Sequence, residues 1–223
     1  IEFLTASNRK GLGDNVELFD NGTLNAEGKN VVVIGGGDTA MDCVRTAVRQ
    51  KAKSIKCLYR RDRENMPGSA REVKNAIEEG VEFIWLSSPK RFLGDNKVKE
   101  VEVNKIILGE PDSSGRKQPV IQSGSEFKLS TDFVIKSLGF DPENLPKLLN
   151  AKELAISGRG IIKIDLKSMQ TNLDGVFAAG DIVRGASLVV WAIKDGREAA
   201  KSIDTYIRKK KLFNNITNLS KAS

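Results

Sequence analysis

The chain has 223 residues, 39% hydrophobic and 29% charged, with 36 Lys and Arg against 29 Asp and Glu, no His and two Cys. That composition fits one or two ordinary folded α/β or α+β domains and excludes disordered and fibrous classes, and no apolar run approaches the ~18 residues of a membrane span. Without His there is no imidazole base or His metal ligand in this chain, and Cys43 and Cys57 form no CxxC pair, so redox chemistry would have to be borne by a cofactor.

Residues 1–27 are mixed and polar and read as a helix remnant and linker. A first residue of Ile in place of Met makes us expect a piece of a longer protein. The β-branched run at 31–34, bounded by glycines, predicts a buried parallel strand over 29–34. Thr39, Ala40, Cys43, Val44, Ala47 and Val48 recur at helical spacing over 38–50, and 54–59 reads as the next strand. Strand, glycine turn, helix and strand make a βαβ unit.

Pro67, Gly68 and Ser69, with Glu72 three residues on, predict a helix start with a capping box, and Gly80 its end. Residues 81–86 read as a third strand. Val98, Val101, Val103, Ile106 and Leu108 fall in short segments that read as β-hairpins, with 109–118 as an exposed loop. Residues 131–137 form another buried strand, ended by Leu138 and Gly139. Residues 28–140 are therefore expected to be an α/β domain, a Rossmann-like doubly wound parallel sheet with a small antiparallel insertion. A second segment, 141–223, has strand patterns at 160–165 and 175–179, a helix over 187–208 and a polar, frayed tail from 209.

The turn Gly35-Gly36-Gly37-Asp38-Thr39-Ala40 fits G-x-G-x-x-A and lies where a dinucleotide fingerprint must, after a strand and opening a helix. Gly35 permits the tight turn, Gly37 lets a pyrophosphate approach the backbone, and Ala40 lets the helix pack closely on the strand, while free N–H groups at the helix start face the anion. An NAD site would place Asp or Glu at the end of the second strand. Here Arg60 and Arg61 stand there, and guanidinium groups suit a 2′-phosphate, so NADP(H) is the expected nucleotide. The net charge of +7 does not lead us to expect nucleic acid, because the basic residues cluster at this turn and no aromatic stacking set accompanies them.

The runs VVVIGGGDTAMDCVRTAVRQ, LYRRDRENMPGSAREVKNAIEEGVEF and TNLDGVFAAGDIVRGASLVVWAIKDGREAA resemble the small (beta) chains of NADPH-dependent glutamate synthase and their relatives. The resemblance implies a fold of pyridine nucleotide-disulphide oxidoreductase type, in which an NADPH domain is inserted into an FAD domain. It also implies 4Fe-4S clusters on a preceding domain, which this sequence lacks, a cytoplasmic location, and a large (alpha) subunit as partner. Glutamate would be made from glutamine and 2-oxoglutarate, with hydride passing from NADPH to FAD in the intact protein, whereas this piece alone would bind NADP(H) without turnover. Carried over, Gly36, Gly37, Asp38 and Thr39 would line the pyrophosphate, and Arg60 with Arg61 would hold the 2′-phosphate. Leu138 and Gly139 would flank the nicotinamide half, although the preceding Ser137 is more commonly Ala. Gly180 and Asp181 would meet the flavin's ribityl chain, and Leu188 with Val189 would open a helix aimed at its ring. A ferredoxin-linked NADPH oxidoreductase, a pyrimidine reductase of the same architecture and a non-catalytic nucleotide-sensing module remain alternatives.

Overall fold

A computed structural model of the chain describes residues 1–111, 115 and 117–221, with side chains up to residue 212. Contacts divide it into two units, Ile1–Gly139 and Phe140–Ser223. In the first, a parallel sheet has the order β3-β2-β1-β8, formed by β1 (Asn30–Ile34), β2 (Ser54–Leu58), β3 (Glu82–Ile84) and β8 (Phe133–Lys136). The run at residues 31–34 is apolar throughout because both of its faces are covered. Val31 and Val33 pack with Ala40, Met41, Val44 and Ala47 of α3 (Asp38–Arg49) and with Val73 and Ala76 of α4 (Ala70–Glu78). Val32 and Ile34, with Leu58, pack on Val101 and Val103.

Those two valines belong to β5 (Glu100–Pro111), which pairs antiparallel with β4 (Ser87–Leu93), β6 (Lys117–Ile121) and β7 (Phe127–Ser130). The expected antiparallel insertion is thus the layer over the second face of the sheet. In place of short segments and a loop from 109, β5 runs unbroken for 12 residues, accommodating a register shift between Leu108 and Pro111. Of the expected loop, 112–114 and 116 lie outside the described residues.

Two other expectations are altered by what the side chains do. Ser69 is the N-cap of α4 but makes no side-chain cap bond. Its intended partner Glu72 is drawn to Arg45 of α3, whose guanidinium also reaches Glu79 at 2.8 Å; a charge-assisted pair outweighs a neutral cap. Residues 1–27, read as a linker, carry α1 (Glu2–Gly11) and α2 (Glu17–Asp20) and contribute to the core. Phe3 is buried with its ring 5.7 Å from that of Phe133, and the Gln50 side chain accepts the Ala26 N–H at 2.7 Å while donating to Ser7 Oγ at 3.0 Å.

The second unit holds α5 (Leu145–Leu148), α6 (Asp181–Arg184) and α7 (Val189–Lys221). The strands expected at 160–165 and 175–179 are reduced to single bridges, Ile156 with Ile162 and Gln170 with Phe177. Each segment lacks the neighbouring strand, among the described residues, that a ladder needs. Instead of ending at 208 in a frayed tail, α7 continues to Lys221, since Lys209 to Leu212 are good helix formers and Arg208 pairs with Asp204 one turn back at 2.8 Å. Residues 222 and 223 lie outside the described residues. No helix among the described residues is long and apolar enough to cross a membrane.

Candidate nucleotide-binding site

Because β2 and β8 flank β1, the segments that follow all three strands lie along one edge of the sheet, where ligands of open α/β sheets bind. The glycine turn occupies the centre. Gly35 has φ +143°, and a Cβ there would overlap the Ser137 carbonyl, while a Cβ at Gly36 would run into the Tyr59 ring. Gly37 differs: its φ is −91°, and a Cβ would meet no heavy atom within 4 Å. The first two glycines let the turn pack, and the third leaves the space in front of it open. Ala40 is fully buried against the sheet.

The first N–H groups of α3 face that space. Ala40 and Met41 donate to the Gly37 carbonyl, but the N–H groups of Gly37, Asp38 and Thr39 find no acceptor among the described residues. Unsatisfied donors at a helix start carry partial positive charge, and an anionic phosphate fits them. Beneath the turn lie both cysteines, buried and free. The Cys57 thiol donates to the Gly35 carbonyl at 3.4 Å, and burial pushes its pKa up to about 12, so it stays a neutral donor near pH 7. Cys43 accepts from Ser137 Oγ at 3.4 Å, and burial raises its pKa too.

At the end of β2 the two arginines part. Arg60 is exposed, and no carboxylate among the described residues pairs with it. Arg61 is buried, and its Nε donates to the Lys117 carbonyl of β6 at 2.8 Å, which fastens the antiparallel layer to this edge. Of the expected pair, Arg60 is the one displayed to solvent. Exposed Arg63 follows in the same loop. This loop is ordered from within: Asn65 donates through N–H and Nδ2 to Asp62 at 2.9 and 2.7 Å, which lowers the Asp62 pKa, and Tyr59 Oη donates to the Asn65 carbonyl at 3.1 Å. On the other flank, Leu138 and Gly139 follow β8, both exposed, with Gly139 at φ +83°.

Within the second unit, Gly180 is the N-cap of α6 at φ +78°, Asp181 is exposed, and a Cβ on Gly180 would lie 3.8 Å from the Ala192 Cβ of α7. The structure thus brings Gly180 and Asp181 near the start of α7, where Leu188 and Val189 are exposed. What holds them was not legible in the sequence. Arg184 clasps Asp195 with two bonds, of 2.5 and 2.6 Å, and holds its carboxyl below the usual carboxylate range; the Gly180 N–H adds to the effect. The two partners sit on different helices, so no spacing rule announces them. Also unread in advance were Tyr59 beneath Gly36 and the contacts of Gly68 and Ser69 with the turn.

Among the described residues no three His, Cys, Asp or Glu side chains gather as metal ligands. With only two cysteines, both buried beneath the turn, the residues present do not fit an iron–sulfur cluster.

Residues 6–196 match the pyridine nucleotide-disulphide oxidoreductase family. The chain is 59% identical over 210 residues to the glutamate synthase [NADPH] small chain of Azospirillum brasilense, covering 94% of this chain and 44% of that protein. To the protein of the same description from Escherichia coli K12 this chain is 47% identical over 211 residues, covering 93% of this chain and 44% of that protein. The chain therefore spans less than half the length of these relatives. Among solved structures, Lactococcus lactis thioredoxin reductase superposes with a TM-score of 0.67 at 23% identity, over 82% of this chain and 54% of that one, a likeness of fold.

Proposed function

The chain belongs to the pyridine nucleotide-disulphide oxidoreductase family, and on that premise we propose that residues 28–140 bind NADP(H) as the reductant-binding portion of a flavin-dependent oxidoreductase of the glutamate synthase small-chain type. The observation that carries this reading is the open, donor-lined space at Gly37 together with Arg60 on the adjoining strand end, exposed and without a carboxylate partner among the described residues. When bound, NADPH supplies a hydride for the flavin. The chain's residues supply placement: N–H groups of Gly37, Asp38 and Thr39 take the diphosphate, Arg60 takes the 2′-phosphate, and Leu138 with Gly139 border the nicotinamide half. Gly180, Asp181, Leu188 and Val189 would hold part of FAD. For the whole protein we propose a cytoplasmic enzyme that works with a large subunit to make glutamate from glutamine and 2-oxoglutarate.

The test is calorimetric titration of the full chain with NADP⁺ and NAD⁺. A charge-assisted bond is worth ~1.5–3 kcal/mol, so NADP⁺ should bind at least about tenfold more tightly, and Arg60→Glu should erase the difference. Equal or tighter binding of NAD⁺ to the wild-type chain overturns the reading.

A further inference from the structure

The loop that carries Arg60 does not hang free of the glycine turn; its far end returns to it. The Gly68 N–H donates to the Gly36 carbonyl at 2.9 Å, and the Ser69 N–H donates to Asp38 Oδ1 at 2.9 Å. Gly68 eases the approach, since a Cβ there would crowd the Gly36 oxygen at 3.0 Å. The near end is pinned as well: the Tyr59 carbonyl accepts the Ser87 N–H at 3.0 Å and the Arg61 carbonyl accepts the Leu86 N–H at 3.2 Å. Arg60 therefore stands between two anchored neighbours on a loop closed at both ends. The closing contact uses the side chain of Asp38, the first residue of the helix whose N–H groups face the diphosphate space.

A carboxylate beside an anion site is electrostatically unfavourable to the anion, and here it is turned toward a backbone donor. We propose that Asp38 is a positioning residue: its carboxylate oxygen latches Ser69 and so fixes the distance between the glycine turn and Arg60, which sets the preference for a 2′-phosphorylated dinucleotide. The inference rests on the reading of this edge as the NADP(H) site and assigns its selectivity to a side-chain contact that itself touches no phosphate. If Asp38 were only a nearby charge, removing it would tighten NADP⁺ and NAD⁺ alike. As a latch, its loss weakens NADP⁺ selectively.

Titrations of the full chain with NADP⁺ and NAD⁺ separate these cases, with thermal melts to verify folding. Asp38→Ala should lower the NADP⁺ over NAD⁺ preference about fivefold, nearly all of it from weaker NADP⁺ binding. Asp38→Asn keeps an acceptor oxygen without the charge and should retain the preference. Ser69→Pro removes the donor at a residue whose φ of −52° suits proline, and its ring carbon takes the place of the hydrogen and displaces the Asp38 carboxylate, so it should reproduce Asp38→Ala with the carboxylate still present. The latch is overturned if Asp38→Ala and Ser69→Pro both keep the wild-type preference, or if Asp38→Asn falls as far as Asp38→Ala. Should the wild-type chain itself show no preference for NADP⁺, the site reading fails and the latch with it. If Arg60→Glu erases the preference while both latch variants keep it, the latch alone fails.

Discussion

Three consecutive glycines look equivalent in a sequence, yet each excludes a different thing. At Gly36 the excluded object is the Tyr59 ring, held by its own hydroxyl to the Asn65 carbonyl and unable to swing away cheaply. Gly36→Ala is therefore expected to cost ~1–3 kcal/mol through overpacking, read as a fall in the thermal midpoint. Gly37 excludes nothing of the protein. With φ −91° it tolerates Ala sterically, the entropy gained by fixing the unfolded chain roughly offsets the poorer N-cap, and stability should stay within ~1 kcal/mol of wild type. The new methyl would fill the space assigned to the diphosphate, so Gly37→Ala should fold normally and lose NADP⁺ affinity by at least about tenfold in the same titration. The turn's position between strand and helix was legible because the glycines follow a β-branched run. The partners that crowd Gly35 and Gly36 were not, since Ser137 and Tyr59 reach the turn only through tertiary contact.

At the scale of elements, the parallel strands and α3 were readable from periodicity because each buries a continuous face against near neighbours in the chain. Prediction failed where a residue had two possible partners. Glu72 had the spacing for a cap and was claimed by Arg45, and the polar residues dividing the hydrophobic positions of β5 concealed a single strand with one covered face. The Arg45, Arg49, Glu72 and Glu79 network adds to the apolar contact that joins α3 to α4. Hydrogen bonds from Arg45 and Arg49 hold the Glu79 carboxyl below its ordinary pKa of 4.5. A depressed pKa means that the unfolded chain takes up protons first as pH falls, so this contribution is fully present above pH 4.5 and is lost below it. Glu79→Gln should thus be less stable than wild type at pH 7, and the gap should narrow as denaturant titrations are repeated at falling pH below 4.5. A gap constant across that range would remove the network from the account of how these helices are joined.

At the scale of the molecule, apolar burial is unevenly shared. Among the described residues both core clusters lie within Ile1–Gly139, whereas the buried apolar side chains of the second unit are Leu154, Ile162, Met169 and Ala199. Leu188, Val189, Val190 and Ile193 of that unit are all more than half exposed. Small folds with so few buried side chains are marginal, so cooperative stability should reside in the first unit. A fragment of residues 1–139 should unfold in one transition and bind NADP⁺ within about threefold of the full chain, since every residue assigned to that nucleotide is inside it. Beginning the fragment at residue 28, where the sequence reading starts the nucleotide domain, removes Phe3 and Ala6 from the core and leaves Phe133 and α3 uncovered. Truncating one buried Phe costs ~3–5 kcal/mol, a large part of the ~5–15 kcal/mol that holds a domain together. The shorter fragment should melt many degrees lower while saturating NADP⁺ binding remains attainable, because the missing helices supply packing and no ligand contact. Equal melting of the two fragments would show that the opening helices are carried by the unit and add nothing to its core.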